Sequence, residues 1–174
     1  SELVVVDGWR LPPIDILDVS PEVEFSQADN VQRAKIIEEA MASYGVEAKV
    51  VQINAGPTVT QFGVEPGWDR RIKEKREKDR DGNVQVRREE VAKTRVKVER
   101  ITSLANNLAL ALAAPSIRIE APVPGKPVVG IEVPNTTLSS VSLRGIIESS
   151  SFQKLGARSK LSLALGKGAG GEAV

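Results

Sequence analysis

Six basic residues at close spacing, Arg87, Arg88, Lys93, Arg95, Lys97 and Arg100, are the side chains of this sequence best suited to hold a ligand. Set along an extended ribbon, such cations pair with the phosphates of a nucleic acid, an attraction independent of base sequence and weakened by salt. Glu74, Glu77, Asp79, Glu89 and Glu90 are interleaved with them and neutralise much of that field. A solvated or subunit-contacting face is therefore favoured over DNA contact. Residues 69–100 contain no aromatic side chain on which a base could stack, which argues against single-strand recognition.

Other chemistry is thinly represented. With no cysteine and no histidine, disulfides, thiolate nucleophiles, Cys- or His-ligated metals and imidazole bases are excluded. Glu38-Glu39 and Glu89-Glu90 are adjacent in sequence, so in a helix or strand they point in different directions and read as solubilising rather than catalytic. A phosphate-cradling P-loop needs a Gly-Lys pair followed by Ser or Thr to hold Mg2+. Here Gly125-Lys126 precedes Pro127, and Gly166-Lys167 precedes Gly168. No intact nucleotide site is expected in the chain. Lys126 reads as part of a surface turn. The glycines from Gly166 to Gly171 read as a turn or a chain end rather than an anion site, because no helix pattern follows them.

The elements around these residues follow from composition and periodicity. Apolar residues make up 41% of the 174 and aromatics only 3%, so the core must be built from Val, Ile, Leu and Ala. No apolar run approaches the roughly 20 residues that span a bilayer, no signal peptide opens the chain, and it reads as soluble. The net charge of +1 hides an asymmetry. Residues 1–68 carry −7, residues 69–100 carry +5 and residues 101–174 carry +3.

Residues 1–25 read as an extended lead-in, since Pro12, Pro13 and Pro21 cannot sit inside a helix. Ser26, Asp29 or Asn30 caps a helix whose face is Val31, Ala34, Ile37, Met41 and Tyr44, and Gly45 stops it. Strands are expected over 46–53 and 58–64. A long hairpin over 68–100, turning at Asp81-Gly82-Asn83, is preferred to a charged helical arm over 69–80. Thr102 or Ser103 is expected to cap a buried helix through Leu104, Leu108 and Leu112, ended with help from Pro115. Strands at 117–121 and 128–133, a short helix around 143–148, a polar stretch and a strand at 161–166 complete the reading. The class is α+β: a mostly antiparallel sheet of about four strands, two main helices and a long charged hairpin insertion. No fixed-period repeat is visible.

Four blocks, in order, then resemble one family. They are Leu11-Pro12-Pro13-Ile14-Asp15-Ile16-Leu17; Tyr44-Gly45-Val46 through Gly56-Pro57-Thr58-Val59-Thr60; Ile117-Arg118-Ile119-Glu120-Ala121-Pro122-Val123-Pro124-Gly125-Lys126 with Gly130-Ile131-Glu132-Val133-Pro134-Asn135; and Leu163-Ala164-Leu165-Gly166-Lys167. This order is similar to the α domain of FtsK/SpoIIIE-type DNA translocases. Family members commonly run from the second strand almost directly into the helix that begins here at Ile101, so residues 68–100 make that connection much longer.

The resemblance implies the following organisation. Residues 1–25 are a lead-in, 26–67 and 101–160 the α domain, 68–100 an insertion, and 161–174 the start of a motor domain cut short. It implies no catalysis by this chain and no cofactor within it. ATP and Mg2+ belong to the parent protein, a hexameric pump for double-stranded DNA in chromosome segregation and cell division or sporulation. The implied partners are the motor domain of the same polypeptide, neighbouring subunits of the ring and double-stranded DNA, mainly through the motor domain. The location is cytoplasmic, with a membrane tether in the N-terminal region of many family members. The alternative is a free-standing nucleic-acid-binding module that uses the 69–100 ribbon.

Overall fold

The structure, a computed structural model, describes residues 5–19, 27–78 and 84–174. The expected hairpin turn at Asp81-Gly82-Asn83, the candidate cap Ser26 and Pro21 lie outside the described residues.

The lead-in is more folded than its prolines suggest. Strands β1 (Val5–Val6) and β2 (Trp9–Arg10) pair antiparallel around Asp7-Gly8, both with positive φ. That is the backbone a two-residue hairpin loop requires, and Asp-Gly supplies it at low cost. A single 3-10 turn, Ile14–Ile16, follows the two prolines.

Helix α1 (Gln27–Ser43) forms as the spacing predicts and buries Ile37 and Met41. Val31 and Tyr44, expected on the same face, are exposed instead. The helix ends because Gly45 adopts φ 70°. Its N–H donates to Ala42 O at 2.9 Å, and Val46 N–H donates to Met41 O at 2.9 Å. These two bonds form a Schellman cap, which only glycine enters without a Cβ penalty. Glu38 then reaches forward and accepts the Val50 N–H at 2.7 Å.

Strands β3 (Ala48–Ala55), β4 (Val59–Pro66), β7 (Arg118–Glu120) and β8 (Val129–Pro134) form a four-stranded sheet of order β3-β4-β8-β7. The mostly antiparallel α+β architecture is as expected. Three residues join β3 to β4, too few for a parallel crossover, and β7 pairs antiparallel to β8, with Ile119 opposite Ile131. The central strands are buried almost continuously, whereas β3 alternates half-buried with exposed. Strands β5 (Trp68–Lys78) and β6 (Val84–Arg95) form the separate, long charged hairpin, so residues 69–78 are strand and not a helical arm.

Two departures from expectation lie beyond the hairpin. The single buried helix is two short ones, α2 (Val98–Thr102) and α3 (Ala105–Ala111). Thr102 and Ser103 do not cap: their hydroxyls donate back to Glu99 O and Arg100 O at 3.2 and 3.0 Å. Such local bonds compete with the helical ladder. Only Ile101 and Leu108 are buried, and Leu110 is 82% exposed. The short helix α4 (Leu143–Ile147) is as expected, but the polar stretch after it is helix α5 (Ser150–Arg158), capped by Ser149 Oγ accepting from Phe152 N–H at 3.2 Å. Residues 161–166 do not form a strand. Their backbone pairing is confined to the end of the segment, where Leu165 and Gly166 N–H donate to Val174 O at 2.8 and 3.1 Å beside the Lys167–Ala173 bridge, too short a ladder for a strand.

The chain divides into two compact units. One comprises Val31–Ile53 and Phe62–Glu132, and its core includes Ile37, Met41, Phe62, Val64, Ile101, Leu108 and Ile131. The other comprises Ser1–Asn30, Asn54–Gln61 and Val133–Val174. Within it, Asn135 joins two of the sequence blocks. Its Nδ2 donates to Gly56 O at 2.9 Å, its N–H to Thr58 O at 2.9 Å, and its Oδ1 accepts from Thr60 Oγ1 at 2.8 Å. In the same unit Arg144 bonds Glu148 at 2.9 Å and pairs with Asp15 of the first block at 3.3 Å. The bond it donates to Glu148 is the largest influence on that guanidinium and pushes its pKa further up.

Candidate functional site: the charged ribbon and its root

The ribbon's register shifts once along its length. Trp68 lies opposite Arg95 and Arg70 opposite Lys93; an extra residue, Val91, is then accommodated in a bulge at Arg71/Ile72. Beyond it Lys73 lies opposite Glu89, and Glu74 opposite Arg88. Without the bulge, Glu74 would oppose Glu89, Lys75 would oppose Arg88, and Arg76 would oppose Arg87. Like charges directly across a ladder destabilise it; the observed register sets two like-charged pairs opposite each other, Arg70 with Lys93 and Lys75 with Arg87, against four in the unbulged one.

The root of the ribbon is held by contacts to three other segments. Gly67 N–H donates to Glu47 O at 2.8 Å, and Val96 N–H to Gly67 O at 3.1 Å. A Cβ on Gly67 would lie 2.7 Å from the Glu47 carbonyl oxygen, so only glycine permits this approach. Arg95 donates to Pro66 O at 2.6 Å and to Glu65 Oε1 at 3.0 Å. Arg100 donates to Asp69 Oδ2 at 2.8 Å and to Gly45 O at 2.9 Å. Arg70 lies 3.9 Å from Glu47. The Lys93 ammonium and the Arg95 guanidinium sit 4.6 and 4.7 Å from the centre of the Trp68 ring, within cation–π range.

The six basic residues singled out from the sequence are thus not brought to one place. Arg87 and Arg88 occupy adjacent register positions, opposite Lys75 and Glu74, and therefore belong to opposite faces of the ribbon. Lys93 is on the shaft over Trp68, and Arg95 is committed to the root. Lys97 is exposed at the N-cap position of α2, and Arg100 lies within α2, bonded to Asp69 and Gly45. Sequence reasoning missed Trp68, Gly67 and Glu47, the residues that organise the root. The visible signal was Pro66-Gly67-Trp68, a turn pair followed by an aromatic just before the charge run.

Replacing Arg95 with alanine tests the root. Its pair with Glu65 is half exposed, which limits the contribution to about 1 kcal/mol or less. The amide of Val96 is expected to exchange roughly three- to tenfold faster, with Tm lowered by less than about 3 °C. An unchanged Val96 amide would show that Arg95 does not brace the ribbon.

Neither Gly-Lys pair opens a helix. Lys126 follows Gly125 (φ 73°) in an exposed turn and donates to Gln52 at 3.2 Å, and β8, not a helix, comes next. Gly166-Lys167 enters the C-terminal turn. Phosphate held by a helix N-terminus does not fit either place.

Fold and site together define an α+β domain that carries a braced cationic ribbon and whose sequence lacks a phosphate loop. A family model for the FtsK alpha domain matches residues 11–135, and the chain belongs to that family. It is 39% identical over 164 residues to the DNA translocase FtsK of Caldanaerobacter subterraneus subsp. tengcongensis, covering 94% of this chain and 19% of that protein. It is 38% identical over 171 residues to the DNA translocase SpoIIIE of Bacillus subtilis (95% and 18%) and 38% over 168 residues to FtsK of Listeria monocytogenes (95% and 18%). The chain therefore spans about a fifth of the length of these curated relatives.

Proposed function

We propose that this chain is the coupling and oligomerisation segment of an ATP-driven translocase for double-stranded DNA, acting in chromosome segregation and cell division or sporulation. One observation carries this reading: nearly the whole chain aligns with a short stretch of much longer DNA translocases. On this reading residues 26–67 and 101–160 are the coupling domain, 68–100 an insertion, and residues after 160 lead into a motor domain of the same polypeptide. ATP and Mg2+ are held by that motor domain, which also makes most DNA contacts, while the coupling domain packs against neighbouring subunits of a hexameric ring. The location is cytoplasmic, with any membrane tether supplied by a more N-terminal region. Among the described residues no helix is long and apolar enough to cross a membrane, which accords with that assignment.

The 174-residue chain is expected to show no ATP turnover above a buffer blank, with or without duplex DNA. The parent polypeptide, with this segment intact, is expected to hydrolyse ATP and displace a triplex-forming strand from duplex DNA. Removing the segment is expected to abolish displacement while leaving hydrolysis in place. Hydrolysis that follows the short chain through successive purification steps, or displacement that survives removal of the segment, overturns the reading.

A further inference from the structure

We infer that copies of this chain join head to tail, the lead-in hairpin β1–β2 of one copy seating its Trp9 in an apolar groove formed by residues 141–167 of the next. The inference deepens the subunit packing of the proposed function and rests on that reading only in taking a second copy as the partner.

The groove lies within one compact unit, where Val141, Leu143, Ile146, Leu165, Gly166 and Lys167 line a space of about 350 Å3. A cavity of roughly 150 Å3 lined by apolar side chains holds a benzene ring, so this space takes the two fused rings of an indole. Ile146 is buried there, whereas Val141, Leu143 and Leu165 leave apolar surface uncovered. Uncovered apolar surface beside a single cation is the composition of a recognition groove.

The lead-in supplies the complementary part. Asp7-Gly8 sets the turn of the hairpin within each copy, which lowers the cost of ordering it on a partner. An isolated two-stranded hairpin is only marginally stable in water, and Trp9 in this one is 77% exposed. Trp68, the second tryptophan of the chain, is already stacked with Lys93 and Arg95, so Trp9 is the indole available as an anchor. The hairpin does not fill the groove of its own copy. Leu165 is 78% exposed in the same chain, and Asp15 ties the residues after the hairpin to Arg144 at 3.3 Å.

Charge selects the same partner. Residues 1–25 carry six acidic side chains and one basic, whereas residues 149–171 carry four basic and none acidic. Lys154, Arg158 and Lys160 are exposed. Two lead-ins repel each other, as do two C-terminal segments, but a lead-in and a C-terminal segment attract. Because the two surfaces differ, the contact is heterologous and repeats into a ring or an open chain of copies.

Sedimentation velocity of the 174-residue chain from about 1 to about 200 μM covers the affinity range of small protein interfaces. The average mass is expected to rise with concentration. Trp9→Ala removes the anchor and is expected to weaken assembly at least about 30-fold. Trp9→Phe keeps an aromatic ring and is expected to stay within about fivefold of the parent. Leu143→Arg, on a half-exposed side chain, places a charge in the groove and is expected to leave the chain monomeric with its circular dichroism unchanged. Trp9→Ala and Leu143→Arg each keep the surface that the other lacks, so their mixture is expected to form a one-to-one pair and stop there. A parent chain that stays monomeric throughout this range overturns the inference. So does assembly that survives Trp9→Ala or Leu143→Arg, or a mixture of the two that stays monomeric. No step uses ATP or DNA, so a failure here leaves the translocase reading standing, and a failure of that reading leaves the association measurable.

Discussion

Replacing Phe62 with alanine is expected to destabilise the chain by about 3–5 kcal/mol, the cost of removing a fully buried aromatic ring and leaving a cavity. Phe62 lies in central strand β4 and has no exposed surface. The chain has only three phenylalanines, and the other core side chains of its unit are aliphatic apart from Met41. Among the described residues the buried core of this unit holds no second ring to fill the vacated space, and close-packed β-branched residues repack poorly. Urea unfolding followed by circular dichroism reads the change directly. Leu110→Ala, on an exposed side chain of equal apolarity, is expected to stay within about 0.5 kcal/mol. Comparable losses at the two sites would show that the burial assigned to β4 is wrong.

Asn135→Ala is expected to cost about 2–4 kcal/mol through hydrogen bonding rather than volume. Alanine keeps the backbone bond to Thr58 but removes both side-chain bonds. That strands the hydroxyl of Thr60, which has no exposed surface, and the carbonyl of buried Gly56. Among the described residues, no buried side-chain polar atom now lacks a partner, so the substitution would create the first. Adding Thr60→Val removes the stranded hydroxyl and is expected to recover about 1 kcal/mol, because deleting both partners of a buried bond costs less than deleting one. If the double variant is no more stable than Asn135→Ala, the Asn135–Thr60 bond does not hold the two blocks together.

How far the sequence revealed these features depended on how local each one is. Helix α1 was legible because Ile37 and Met41 repeat at helical spacing and Gly45 ends the helix with the one residue type that fits. The ribbon was legible because valines alternate with polar residues on either side of a turn. Helix α5 was missed because its residues are mostly polar and its cap, Ser149, is not followed by the acidic partner that makes a capping box conspicuous. The lead-in hairpin was masked by the prolines after it, although Asp7-Gly8 carries the turn chemistry. The expected strand at 161–166 had the alternation of a strand, in Leu161, Leu163 and Leu165, but pairing is a tertiary event that no window of sequence contains. The same limit applied to the ribbon. Its cations were obvious in the sequence, but the partners of Arg95 and Arg100 lie 30 and 31 residues away, so their commitment to the root was not.

The bulge at Val91 has a consequence for how this hairpin would age under changing conditions. Most hairpins keep alignment because one side is greasy and a slip would turn it toward water. Here the bulged alignment has fewer like-charged positions across the ladder than the straight one, an advantage that dissolved ions screen. Raising ionic strength toward 1 M shortens the reach of each charge to about 3 Å, and the penalty that disfavours the straight, slipped ladder shrinks with it. The rest of the molecule, zipped by buried hydrocarbon, would not notice. Beyond the bulge the preference between the two alignments would narrow, while the bonds of Gly67, Arg95 and Val96 keep the root in register.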